Sequence, residues 1–156
     1  MALAGLAFAQ PVLAACPQAL ATYETEDGSA ALTFVASGQA VAMSHEIRIL
    51  LADVPPVTAY VQPSERLGQP EMVLPVNCPE GDVTGAELDA CIVYRSVVYA
   101  RADDGALMEL PAAGEPAAAD ILLPNFAAAV WQHPAFGADG PRTRPAEIFK
   151  LLGCQE

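Results

Sequence analysis

The sequence predicts a mainly β or α+β fold: antiparallel hairpins forming a small sandwich or barrel, with one or two short helices near the C-terminus. Three observations carry that expectation. Short runs alternate apolar and polar residues, as strands with one buried face do. Turn residues separate those runs every ~10 residues, the rhythm of sandwiches and barrels, which predicts about six to eight strands. Asp27-Gly28 and Asp104-Gly105 lie between hydrophobic runs, where a tight hairpin turn needs a residue at positive φ.

At 156 residues the chain is long enough to bury a core, and the length fits one domain, residues 16–156. Residues 1–15 read as a secretory signal peptide, because Met1 to Ala9 is an apolar run too short to span a bilayer and small residues follow at Ala14-Ala15. No Lys or Arg precedes Arg48, so the positive n-region is missing, which points to a true start upstream of Met1.

The elements follow in order. Thr22 to Thr25 and Ala30 to Val35 predict a first hairpin, with Leu32 and Phe34 on one face. Ser37-Gly38-Gln39 turns the chain, and Val41 to Leu51 alternates with Ile47, Ile49 and Leu51 inward and Glu46 and Arg48 outward. Pro55-Pro56 stops that strand. Val57 to Gln62 is expected as a short edge strand, and Pro75 within Glu71 to Asn77 predicts an edge or a bulge, because proline cannot donate to a ladder.

The clearest stretch runs from Cys78 to Leu110. Thr84-Gly-Ala-Glu87 has capping-box spacing and predicts one helical turn ending near Cys91. Ile92, Tyr94, Ser96, Val98 and Ala100 then form the inward row of a strand, Val93, Arg95, Val97, Tyr99 and Arg101 the outward row. Ala106 to Leu110 is expected to return antiparallel. Pro111 to Asp120 is a connection, Ile121 to Leu123 a possible strand, and Asn125 is read as the cap of a helix over Phe126 to Gln132. Ile148 to Leu152 fits either helix or strand.

The four cysteines are Cys16, Cys78, Cys91 and Cys154. Proximity favours Cys78 with Cys91, leaving Cys16 with Cys154; the first bond would stabilise the fold by about 3 kcal/mol through loop-closure entropy. Two bridges imply an oxidising compartment, periplasmic or secreted. Leu13-Ala-Ala-Cys16 also has the form of a lipoprotein signal, so the alternative is a lipid anchor at Cys16 and an outer-membrane location; that leaves an odd thiol among the other three. Arginine dominates the seven bases, and with abundant alanine this suggests a GC-rich bacterial source.

Nineteen acids against seven bases give a net charge of -12, which disfavours nucleic acid and anionic lipid and steers a cationic protein or peptide toward the chain. No transmembrane run occurs. Glu80, Asp82, Glu87 and Asp89 cluster in the Cys78 to Cys91 loop and are the candidate binding residues, held in order before a partner arrives.

No cofactor is expected, and catalytic machinery is thin, since thioredoxin-type, haem-attachment, serine hydrolase, zincin and phosphate-loop motifs are all missing. The expected function is a non-catalytic, envelope-associated binding module. The alternatives are a periplasmic protein binding copper through Met43 and His45 or calcium through the acidic loop, and a small envelope hydrolase with a carboxylate pair assembled by the fold. His45 otherwise reads as a half-exposed strand residue. Trp131, His133 and Phe136 read as core packing or an aromatic platform, and Arg142 and Arg144 as loop cations pairing with nearby carboxylates.

Overall fold

A computed structural model describes residues 15–36 and 44–156. The expected signal segment therefore lies outside the described residues except for Ala15, as do Met43 and the turn at Ser37. Ten strands form one antiparallel sheet: β1 (Ala21–Thr25), β2 (Ala30–Val35), β3 (His45–Leu51), β4 (Val57–Gln62), β5 (Glu71–Pro75), β6 (Ile92–Val97), β7 (Tyr99–Arg101), β8 (Leu107–Met108), β9 (Asp120–Leu122) and β10 (Ile148–Cys154). Two short helices, α1 (Gly85–Ala90) and α2 (Phe126–Val130), complete the described elements with two single 3-10 turns. The fold is mainly β with short helices, and only α2 lies in the C-terminal part.

The sheet order is β6-β5-β4-β3-β2-β1-β10-β9-β7-β8. Strands β6 and β7 are interrupted only at Val98, so residues 92–101 form one extended segment whose first half is one end of that order and whose second half stands next to the strand at the other end. Its first half pairs with β5, its second with β9 and β8, and the sheet consequently curls round upon itself. Arg101 and Asp120 are register partners where β7 meets β9, and Arg101 Nε donates to Asp120 Oδ2 at 2.7 Å.

The alternation read from the sequence produces the interior. Leu32, Phe34, Ile47 and Ile49 are fully buried, and Tyr94, Val98 and Ala100 of the long segment join them. Each fully buried large side chain contributes about 1.5–3 kcal/mol. Tyr23 also lies inside, its hydroxyl between Gln18 Oε1 (3.1 Å) and the Ala118 carbonyl (3.0 Å); burial pushes the phenol up to about 12. Helix α2 adds Phe126, which meets Tyr94 edge-on at 5.3 Å and Phe149 at 6.0 Å.

Several local expectations change. Strand β4 pairs on both sides, so it is interior; Pro55-Pro56 before it ends β3 without making an edge. The expectation of an edge or a bulge at Pro75 is met by the bulge: Leu74 pairs with Tyr94 and Pro75 with Ile92, leaving Val93 as the extra residue. That extra residue reverses the alternation, so Val93 packs against the core while Ile92 faces outward. A second bulge leaves Leu152 unpartnered between β1 and β10, and this side chain is 66% exposed. Asn125 precedes α2 at φ 61 and makes no side-chain cap; Glu147 Oε1 accepts from the Ala127 amide instead.

Both disulfides join the expected partners. Cys78–Cys91 closes a short loop, and Cys16–Cys154 ties the start of the described chain to its last strand. Backbone bonds sew the same segment in place, from Gln18 to Glu115 and from Ala117 to Cys16.

Candidate functional site

The Cys78–Cys91 loop is built from its local chemistry. Gly81 takes φ 92, a conformation that a β-carbon would strain, and turns the chain toward α1. The Thr84 amide and hydroxyl both donate to Glu87 Oε2 at 2.8 Å, and the Glu87 amide donates back to Thr84 Oγ1 at 3.3 Å. This is the capping box read from the sequence. The Thr84 amide, followed by the hydroxyl, holds the exposed Glu87 carboxyl below the usual carboxylate range. The disulfide then fixes the end of the helix, with Cα atoms 5.2 Å apart.

All four candidate acids are exposed, but their surroundings divide them. Glu87 is engaged in the cap. Asp89 accepts from Arg95 Nη2 at 3.1 Å. Glu80 and Asp82 enter no ion pair among the described residues, so they carry the free charge of the loop. No group of three or more His, Cys, Asp or Glu side chains converges in a metal-holding arrangement among the described residues.

Helix α1 buries none of its residues. Its large apolar side chain, Leu88, remains 45% exposed and overhangs the outer face of β4, β5 and β6. A cleft of about 230 Å³ lies there, lined by Tyr60, Val73, Pro75, Ile92 and Leu88, with Gln62 and Arg95 among its walls. Beside it stands Glu71, 4% exposed. Gln62 Nε2 donates to Glu71 Oε1 at 3.3 Å, Arg95 lies 3.8 Å from the same oxygen, and Arg66 lies 3.6 Å from Oε2, which accepts no hydrogen bond. The sequence reading missed this cleft. Its signal was available in the outward rows of β4 and β5, where Tyr60 and Val73 occupy positions that a solvated face gives to polar residues.

The other candidates do not converge with the loop. His45 is buried, 5% exposed, because it shares the inward row of Ile47 and Ile49; this corrects its expected half-exposure. Phe34 meets its ring at 5.5 Å and Ser44 Oγ lies 3.0 Å from Nδ1. Burial holds its pKa below the ordinary imidazole value, partly opposed by the Pro111 carbonyl. Trp131 is not core: it is 39% exposed, Arg144 covers its ring at 5.5 Å, and its Nε1 donates to the Arg142 carbonyl at 3.3 Å. His133 Nδ1 accepts from the Ala135 amide and its ring meets Phe136 edge-on. Arg142 does find a carboxylate, Asp53, at 3.9 Å.

Among the described residues no helix is long and apolar enough to cross a membrane. The chain matches no protein-family description, no curated protein and no solved structure.

Proposed function

We propose that this protein is a non-catalytic binding module of the bacterial envelope, periplasmic or secreted, that engages a cationic protein through its disulfide-closed acidic loop. One observation carries the reading. The loop is closed by Cys78–Cys91 and capped by Thr84 and Glu87, yet its helix buries no residue. Such an element adds nothing to the core, while its fixed shape lowers the ordering cost of binding. Glu80 and Asp82 then present unpaired negative charge on a molecule of net charge -12.

Two disulfides support an oxidising compartment. The Cys16–Cys154 bond uses the sulfur that a lipid thioether would need, which favours the unanchored form over the lipoprotein. The test is affinity capture from envelope extract with oxidised protein as bait, beside a Glu80→Lys/Asp82→Lys bait. The reading expects a basic protein held by the first bait, released by salt and absent from the second; equal capture by both baits would remove the loop from the account.

A further inference from the structure

The outer face of β1, β10, β9 and β7 carries a row of charges that alternate in sign. Tyr23, Phe149, Ile121 and Ala100 are fully buried on the inner face, so their chain neighbours point outward. Glu24 pairs with Lys150, Lys150 with Asp120, and Asp120 with Arg101, which gives the order minus, plus, minus, plus across four adjacent strands. The row sums to zero on a molecule of net charge -12. Beside it runs an apolar row, in which Ile148 pairs with Leu122 and Leu122 with Tyr99. Ile148 is 44% exposed although β10 is an interior strand, and Leu152, further along that strand, is 66% exposed.

A charge row of this order is complementary to its own two-fold image. A two-fold axis parallel to the strands, midway between β10 and β9, sets each row opposite itself in reverse, the arrangement of an isologous interface. Arg101 then meets the second copy's Glu24, Lys150 meets Asp120 and Ile148 meets Leu122, so no like charges in the row face each other. We infer that this face is the contact between two copies of the chain, packed sheet on sheet. The acidic surface elsewhere repels a second copy, whereas the balanced row lifts that repulsion where Ile148 and Leu122 have apolar area to bury. The charges are also held in place beforehand: Lys150 Nζ lies 3.0 Å from Glu26 Oε2, and Arg101 Nε donates to Asp120 Oδ2 at 2.7 Å. Asp120 is only 8% exposed, so the Arg101 and Glu24 contacts, formed twice by symmetry, carry most of the charge selection.

The experiment is sedimentation equilibrium of the oxidised full chain, loaded from ~1 µM to ~500 µM, where a monomer–dimer equilibrium is expected. Glu24→Lys sets a cation against the second copy's Arg101, and Ile148→Lys sets one against its Leu122. Each is expected to weaken the dimer at least about tenfold, because the fault occurs twice in a two-fold interface. Glu80→Lys, in the acidic loop, changes the net charge by the same amount as Glu24→Lys and is expected to leave the dimer no weaker than native. Net charge alone predicts that Glu24→Lys and Glu80→Lys behave alike, since both reduce repulsion between copies. Either face variant keeps the test decisive if the other fails to fold. A native chain that is monomeric at every loading would overturn the inference. Dimers of equal strength in Glu24→Lys and Glu80→Lys, or an Ile148→Lys dimer as strong as the native one, would also overturn it.

Discussion

His45 shows how a single side chain couples the interior to pH. It is packed under Phe34 beside the Pro111 carbonyl, and burial lowers its pKa relative to the unfolded chain. The neutral ring is the form the fold accepts. Stability linked to His45 is therefore complete above the unfolded imidazole value of about 6.5 and is lost as pH falls through it toward the lower folded value. Urea midpoints near pH ~7.5 and pH ~5.5 should differ more for the native chain than for His45→Gln. An equal difference in both would assign the acid sensitivity to other groups. The burial of His45 was legible in its parity with Ile47 and Ile49, a regularity stronger than the polar character of the ring. Ile92 misled for the opposite reason: the alternation held until a bulge at Pro75 inserted Val93, and a bulge is set by the neighbouring strand.

At the scale of elements, the local chemistry was the readable part. The capping box, the Asp-Gly turns and the closely spaced cysteines act over a few residues, and α1, the hairpins and Cys78–Cys91 stand where they were expected. Helix α2 is anchored by Glu147 from a distant stretch, which no local signal announces. Because α1 buries nothing, the short loop is separable from the core. Replacing Cys78 and Cys91 by serine should cost about 3 kcal/mol by loop-closure entropy while leaving the sheet folded. Hydrogen exchange is the check: amides of residues 79–90 should lose protection and those of β1, β2 and β3 should keep it. Loss of protection throughout would mean that the loop supports the core after all.

For the whole molecule, the curl of the sheet depends on long-range pairing. Residues 92–101 meet β5 along one edge and β9 along the other, and the sequence separation of these partners hides that arrangement from any local pattern. The mainly β class was legible; the strand order was not. The Cys16–Cys154 bond spans 138 residues, far more than the 13 of Cys78–Cys91. Loop-closure entropy gives such a bond about 5 kcal/mol, so the Cys16→Ser/Cys154→Ser double variant should unfold at lower denaturant than the Cys78→Ser/Cys91→Ser variant. The reverse order would indicate that the terminal segment is held chiefly by its backbone bonds to residues 113–117.

The charge asymmetry is also a property of the whole chain, but the account assigns its function to one loop. The most direct measurement is the affinity of the captured basic partner for the native chain and for Glu80→Lys/Asp82→Lys, each at two salt concentrations. Screening weakens attraction between exposed charges, so the account predicts an affinity that falls with salt for the native chain. It further predicts a weaker, nearly salt-independent affinity for the charge-reversed chain. Equal affinity and equal salt dependence in the two proteins would contradict it, placing the contact on another part of the acidic surface.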